Sequence, residues 1–311
     1  MSFTQEVKTN ICNNELLTCC QRAELAAMVQ LCAVLSITKQ QLSLKIKTQN
    51  PTVAKRALFL LKKLYKVETQ LSMIRQTTFK KRHVYEIEVL SQAKFILEDL
   101  TLLSPTGLSH HPAAAVVRKK CCGRAFIAGA FLAGGSVNSP TSSNYHLEIS
   151  CGETELADFI IKLLARHDIV AKTIFRRQKP LIYFKQSEKI SDFLRLVGAF
   201  ESLLKYEDAR IQRDYVNNMY RLDNCDIANE MKAQQSATKQ YEDVKLLAER
   251  LGIENLEPRL AEVAQLRLDY TDVSLLELSE LYEKRFHQPI SKSGIRHRLN
   301  KIKEIALRYK D

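Results

Sequence analysis

The chain of 311 residues is 45% apolar, which supplies enough side chains for packed cores and excludes wholesale disorder. Its net charge of +12 and pI of about 9.3 favour an anionic partner, nucleic acid ahead of an acidic membrane surface. Residues 1–10 show no signal-peptide pattern, and charges break every long apolar stretch before the roughly 18 residues of a membrane span. We therefore expect a cytoplasmic protein without membrane contact.

The eight cysteines predict reduced thiols in place of disulfides or a metal site. No C-x-x-C pair is present, and the adjacent pairs at 19–20 and 121–122 should point in different directions on a helix. A free cysteine packs as a small apolar side chain. The cysteine pattern therefore predicts no zinc, and we expect no metal and no cofactor.

The first repeat, at about residues 20–103, is predicted to run helix, two strands, helix, two strands, helix. Leu42, Leu44 and Ile46 alternate with polar neighbours, which is typical of a half-buried strand. Pro51 fits the first turn of a helix that should extend to about Tyr65. The other elements are expected as helices at about 22–35 and 92–103, strands near 35–38, 67–75 and 84–89, and a basic tip at Lys80–His83.

After a linker at 104–112, the same order returns in a second repeat at about residues 121–199. Its helices at 123–133 and 153–167 begin about 102 residues after their counterparts. Two copies in one order at a constant offset predict a single α+β domain with a pseudo-twofold axis. The remaining elements are expected as strands at 145–151, 171–177 and 181–185 and a helix at 188–197.

The predicted domains are residues 1–222, ending in a connecting helix at 200–222, and an all-α domain at 241–311. Residues 223–240 lack a strong apolar stripe, so we predict a hinge there. Helices are expected at 258–270, 274–284 and 291–308, and the last two are joined by a short turn with Pro289. This order is typical of a helix–turn–helix, with Ser291 as the N-cap of the final helix.

Charge makes the last helix a candidate DNA-binding element. Residues 284–310 carry nine Lys and Arg against one acid, a net charge of +8. On the outward face, Arg296 could pair with guanine and Asn300 with adenine in the major groove. Phosphates, where a point charge suffices, are better suited to Lys292, Arg298, Lys301 and Lys303. The predicted DNA-binding residues are Ser291, Lys292, Ser293, Arg296, His297, Arg298, Asn300, Lys301 and Lys303.

The first helix of each repeat has a stripe of small residues, which lets two backbones approach closely. The second copy, FIAGAFLAGG at 126–135, resembles the helix of LAGLIDADG homing endonucleases. That resemblance implies two helices packed across a pseudo-twofold axis, each ending in a carboxylate that holds a divalent metal at the scissile phosphate. Here the first acidic positions fall on Gln30 and Leu132. The metal-binding positions fall on Cys32 and Gly134, so the former catalytic positions are degenerate.

The combination of both domains resembles the WhiA family of bacterial regulators, linked to sporulation and cell division. The resemblance rests on RAELAA at 22–27, GRAFIAGAFLAGGSV at 123–137, RLDNCDIAN at 221–229 and SKSGIRHRL at 291–299. It implies a degenerate LAGLIDADG domain joined to a helix–turn–helix, sequence-specific DNA binding and no nuclease activity. One departure is Cys32-Ala33, where an acidic residue followed by glycine is expected.

Three functions remain open at this point. The first is a transcriptional regulator of promoter DNA, located at the nucleoid, whose N-terminal domain adds weak DNA contacts or binds a protein partner. The second is an active endonuclease, disfavoured because a thiol and a glycine cannot hold magnesium. The third is a nucleoid-associated or division scaffold that acts mainly through protein partners and binds DNA without specificity. Purely protein-mediated binding would not depend on salt, whereas DNA affinity falls steeply as salt rises.

Overall fold

The computed structural model describes residues 2–38, 41–75, 83–105, 107–112 and 114–310. The chain forms two compact units, Met1–Arg213 and Asp214–Asp311. Among the described residues, no helix combines the length and the apolar character that crossing a membrane requires.

The first unit contains two halves with the same topology. In each half, four strands form an antiparallel sheet in which their spatial order is first, second, fourth, third. The predicted pseudo-twofold α+β fold is therefore confirmed. The helices are α1 Phe3–Cys12, α2 Thr18–Cys32, α3 Pro51–Tyr65, α4 Ala93–Asp99, α5 Lys120–Gly134, α6 Thr154–Ala165 and α7 Ser187–Leu196. The strands are β1 Ala33–Thr38, β2 Gln41–Thr48, β3 Thr69–Arg75, β4 His83–Val89, β5 Leu103–Ser104, β6 Gly107–Leu108, β7 Gly135–Val137, β8 Leu147–Ser150, β9 Lys172–Arg176 and β10 Lys179–Phe184.

Helices α2 and α5 pack against each other at the centre of this unit, where small residues allow a close approach. A Cβ added at Gly129 would lie 2.3 Å from the carbonyl oxygen of Glu24 and 3.0 Å from the Cβ of Ala27. Side chains of both helices are buried in one continuous core with β2, β4 and β8. The predicted small-residue stripe therefore forms the contact between the two halves.

A buried ion pair lies in the same core. Glu24 is 0% exposed and Arg56 on α3 is 8% exposed. The Arg56 guanidinium donates to both Glu24 carboxylate oxygens, at 2.8 to 3.2 Å, and to the carbonyl oxygen of Cys12 at 3.1 Å. Burial raises the pKa of Glu24, and the Arg56 hydrogen bonds oppose that shift.

Three local predictions differ from the structure. The helix expected at 22–35 spans Thr18–Cys32, and Leu35 lies in β1. The helix expected at 92–103 ends at Asp99, because Thr101 adopts a left-handed backbone (φ 59°) that a helix cannot continue through. The expected linker contains the β5–β6 hairpin. Of the basic tip at Lys80–His83, residues 80–82 lie outside the described residues, and His83 begins β4.

Helix α8, Phe200–Arg250, is 51 residues long and contains both the expected helix at 200–222 and the expected hinge at 223–240. Residues 223–240 contain neither glycine nor proline, so nothing in them opposes helix formation even without an apolar stripe. The helix is therefore uninterrupted where we expected the hinge. Independent movement of the two domains stays a prediction, which cleavage within 223–240 in limited proteolysis would support.

The second unit has a separate core built on three short helices. They are α9 Pro258–Asp269, α10 Leu275–Phe286 and α11 Lys292–Leu307, close to the predicted bounds. Ser274 and Glu277 form a reciprocal capping box at the start of α10. Arg267, only 1% exposed, donates to the carbonyl oxygen of Val273 at 2.8 Å and to Oε1 of Gln240 at 2.8 Å. These bonds fix the turn that leads into the helix–turn–helix.

Candidate nucleic-acid interface

Helix α11 is held by one buried stripe and exposes the opposite face. Ile295, Leu299, Ile302 and Ala306 are at most 3% exposed and pack in the core of the second unit. The Ser291 hydroxyl accepts a hydrogen bond from the Gly294 amide at 3.2 Å, as expected for an N-cap. The predicted DNA-binding residues that are exposed are Ser291, Lys292, Ser293, Arg296, His297, Asn300, Lys301 and Lys303.

The exposed cations of α11 are not neutralised within the described part of the chain. There, no carboxylate lies within 4.0 Å of the side-chain nitrogens of Lys292, Arg296, Lys301 or Lys303, whereas nearby Arg285 pairs with Asp269. An unpaired cation can release counterions from a polyanion without first losing an internal partner. This face therefore has the charge and the shape that the major groove accepts.

Arg298 differs from the other predicted residues because its side chain is half-buried and already engaged. It donates to the Tyr282 hydroxyl at 2.8 Å, and its guanidinium lies 5.1 Å from the centre of the Tyr282 ring. Tyr282 in turn donates to the carboxylate of Glu262 on α9. Arg298 thus joins α11 to α9 and α10, and its predicted phosphate contact remains a prediction.

The two positions predicted to be former catalytic positions, Cys32 and Gly134, lie at the ends of α2 and α5 and line one open cavity of about 970 Å³. A Cβ at Gly134 would lie 2.5 Å from the carbonyl oxygen of Ser150, so the backbone leaves no room for a carboxylate there. The Gln30 amide donates to the carbonyl oxygen of Ser109 at 3.2 Å. Because neither position supplies a carboxylate, these residues do not fit a magnesium ion.

A lysine also lines this cavity. Lys8 on α1 donates to the carbonyl oxygen of Leu132 at 3.0 Å, close to the end of α5. Burial lowers the pKa of Lys8 to about 8 and raises the pKa of Cys32 to about 11. An ammonium group and a protonated thiol both oppose binding of a divalent cation. They are a second reason why these residues do not fit a magnesium ion.

The shift at Lys8 predicts a stability change at alkaline pH. Between pH 8 and the unfolded value of 10.5, the folded state holds fewer protons than the unfolded state, so stability rises with pH. From pH 8 to pH 10.5, we expect the free energy of unfolding of wild type to rise by about 1–3 kcal/mol more than that of Lys8→Met. Urea unfolding at the two pH values measures this difference. Lys162→Met, which replaces an exposed lysine on α6, is the control. Its stability should rise with pH as much as that of wild type. Equal pH profiles for wild type and Lys8→Met would contradict the prediction.

The sheet of the first half presents paired charges. Lys45 lies 3.4 Å from Glu86 and 3.2 Å from Glu88, and Lys47 lies 2.9 Å from Glu86. The Lys47 hydrogen bond lowers the pKa of Glu86, so that carboxylate stays ionised. The lysine and glutamate side chains of this sheet therefore neutralise each other locally. In the second half, Lys172 and Arg176 on β9 are exposed beside Phe175, which is 65% exposed.

Comparison with known proteins accounts for both units. The model of the WhiA N-terminal LAGLIDADG-like domain matches residues 18–103, that of the WhiA LAGLIDADG-like domain residues 123–216, and that of the WhiA C-terminal HTH domain residues 219–306. The chain belongs to the WhiA family. A relative named "Probable cell division protein WhiA" from Bacillus subtilis (strain 168) is 42% identical over 307 residues, 98% of this chain and 96% of the relative.

Solved structures of WhiA share the fold. Full-length WhiA from Thermatoga maritima superposes with a TM-score of 0.60 at 26% identity and covers 100% of both chains. An N-terminal LAGLIDADG domain of WhiA gives a TM-score of 0.51 at 22% identity over 63% of this chain and 90% of that chain. The predicted family and fold class are confirmed, and the B. subtilis relative is named for cell division, not as an enzyme.

Sequence reasoning missed two features of the first unit. Helix α1, which places Lys8, was not predicted, although Ser2 and Gln5 have the spacing of the capping box that the structure shows. The adjacent cysteines were expected to point apart. Instead, the Sγ atoms of Cys19 and Cys20 lie 4.0 Å apart, and those of Cys121 and Cys122 also lie 4.0 Å apart. The two pairs also lie close to each other, with all four Sγ atoms within 4.8 Å, because α2 and α5 pack together. The pattern of a single helix cannot reveal that contact.

Proposed function

We propose that this WhiA-family protein is a sequence-specific regulator of transcription that binds double-stranded promoter DNA through α11. The observation that carries the proposal is the exposed face of α11, whose cations lack carboxylate partners among the described residues. Its hydrogen-bonding groups, Arg296 and Asn300, lie four residues apart on that face, within reach of adjacent bases. The names of its relatives connect this regulation to cell division. We place the protein in the cytoplasm, at the nucleoid.

The test is chromatin immunoprecipitation with sequencing of wild type and of Arg296→Ala/Asn300→Ala. This pair avoids Arg298, whose replacement would also remove the Tyr282 contact. Because each base contact contributes about 1–3 kcal/mol, affinity for a recovered promoter fragment should fall roughly 30-fold or more. Arg250→Ala, an exposed arginine of α8, should keep wild-type peaks. Discrete peaks that survive in the double variant would place specificity elsewhere.

Phosphate contacts predict a different signature from base contacts. Lys301→Ala/Lys303→Ala should weaken binding to all duplexes alike and lower the slope of log affinity against log salt by about 2. Fluorescence anisotropy across a salt series measures this slope. Lys239→Ala/Lys245→Ala removes the same charge from exposed positions of α8 and should leave the slope unchanged. An unchanged slope in the α11 variant would remove these lysines from the interface.

We also propose that the protein has no nuclease activity. The support is that the residues lining the cavity at the former catalytic positions, Cys32, Gly134 and the neighbouring Lys8, do not fit a divalent metal ion. Incubation of recovered promoter fragments and of plasmid DNA with Mg²⁺ or Mn²⁺ should yield no cleavage. Cleavage that persists after purification over two further columns would contradict the proposal.

The N-terminal unit supports a second role, recruitment of a protein partner. Its first sheet pairs its own charges on one face. On the opposite face, Leu71 and Met73 of the edge strand β3, which pair with Ile87 and Tyr85, are 48% and 60% exposed. A neutral, partly apolar sheet suits protein contact better than phosphate contact. If this role dominates, cross-linking will recover a division or chromosome protein from cells expressing the Arg296→Ala/Asn300→Ala variant as well as wild type.

A further inference from the structure

Four cysteines meet where the two central helices begin. Cys19 and Cys20 lie in the first turn of α2, and Cys121 and Cys122 lie in the first turn of α5. Their four Sγ atoms all lie within 4.8 Å of one another. The cluster joins the two halves at the end of the helix pair opposite to Cys32 and Gly134.

The spacing of these sulfurs is close to that of a metal tetrathiolate. A tetrahedral zinc site has Zn–S bonds of about 2.3 Å, which places its sulfurs about 3.8 Å apart. Both adjacent pairs are at 4.0 Å, and no distance across the cluster exceeds 4.8 Å. Shifts of less than about 1 Å, within reach of side-chain rotation, would complete the tetrahedron.

We propose that Cys19, Cys20, Cys121 and Cys122 form a structural Zn²⁺ site that joins the first turns of α2 and α5. Four thiolates fill a tetrahedral coordination shell, so the ion would keep no open position for chemistry. Binding converts the thiols to thiolates and releases their protons to solvent. The ion links residues about a hundred positions apart in sequence and so stabilises the two halves against separation.

The surroundings favour the negative charge of a zinc tetrathiolate. The four sulfurs lie in the first turns of α2 and α5, where the helix dipole places partial positive charge. Arg118 and Arg22, the latter paired with Asp99, line a cavity of about 340 Å³ beside Cys19 and Cys122. A second cavity, of about 310 Å³, reaches Cys20 and Cys121 and is lined by Arg124 and Arg195 together with Glu15 and Glu24. Both cavities also give an ion access to the cluster.

The experiment measures zinc in the full-length protein purified under reducing conditions without chelator. Elemental analysis should give one zinc ion per chain in wild type and in Cys225→Ser, a control at an exposed cysteine of α8. The content should fall to background in Cys19→Ser/Cys122→Ser. Cobalt reconstitution of wild type should give the thiolate charge-transfer and d–d bands of a tetrahedral site, which tests the site even where the double variant fails to fold.

Three results would overturn the proposal. The first is wild type without zinc or cobalt–thiolate absorption after reconstitution. The second is zinc content that the double variant retains. The third is intact-mass and peptide mapping that finds the four cysteines in disulfides in the reduced, zinc-supplied preparation, since a disulfide sulfur is not a thiolate ligand.

Discussion

Glu24→Ala is expected to destabilise the first unit by about 3–5 kcal/mol, because it leaves the Arg56 guanidinium buried without its counter-charge. Arg56 is only 8% exposed, and three of its hydrogen bonds end on the Glu24 carboxylate. The one that remains, to the carbonyl oxygen of Cys12, cannot neutralise a charge. Urea unfolding followed by circular dichroism measures the loss.

A double replacement separates the buried charge from the lost packing. Glu24→Gln/Arg56→Met removes both charges and keeps most of the volume, so it should recover much of the stability that Glu24→Ala loses. Lys94→Ala, which breaks an exposed pair with Glu98, should change stability by less than about 1 kcal/mol. If Glu24→Ala costs no more than Lys94→Ala, the pair contributes little to the fold.

Gly129→Ala is expected to cost about 2–4 kcal/mol, since the added methyl meets the Glu24 backbone of the facing helix at 2.3 Å and one of the two helices must move. Gly123→Ala is the matched control on the same helix. Its Cβ would have its nearest neighbour at 3.7 Å, so the gain in helix propensity should leave it neutral or more stable by up to about 1 kcal/mol.

Thermal unfolding of both glycine variants tests why alanine is unfavourable at Gly129. The cause is either the close contact with α2 or the flexibility of glycine itself. Opposite signs of the two changes in free energy of unfolding would support the contact. Equal destabilisation at Gly123 and Gly129 would mean that helix α5 tolerates no alanine for reasons unrelated to α2.

Local signals explain which elements could be predicted. The helix Pro51–Tyr65 was predicted with correct bounds because Asn50 caps it, Pro51 begins it and Lys66 ends it in a left-handed conformation. The stripe of α11 was equally readable from Ile295, Leu299 and Ile302. Each of these signals lies within a few residues of the element that it specifies.

Features that depend on contacts distant in sequence were not readable. Arg298 has the spacing of an outward residue, and only the fold shows that Tyr282 holds it. Lys8 of α1 reaches Leu132 of α5 across 124 positions, and Cys19 of α2 meets Cys122 of α5. The predicted hinge rested on a weak apolar stripe, which does not decide whether a chain without glycine or proline is helical.

The ion pairs on the first sheet imply that the charge of this sheet and the carboxylates of a metal site can change through separate substitutions. Cys32 and Gly134 end α2 and α5, whereas the ion pairs lie on β2 and β4. There, among the described residues, Lys45 and Lys47 are neutralised by the carboxylates of Glu86 and Glu88. A relative with glutamine at both positions would keep the same sheet and register but present two uncompensated ammonium groups. Whether such a sheet attracts nucleic acid is thus set by a few reversible surface charges, while the architecture stays constant.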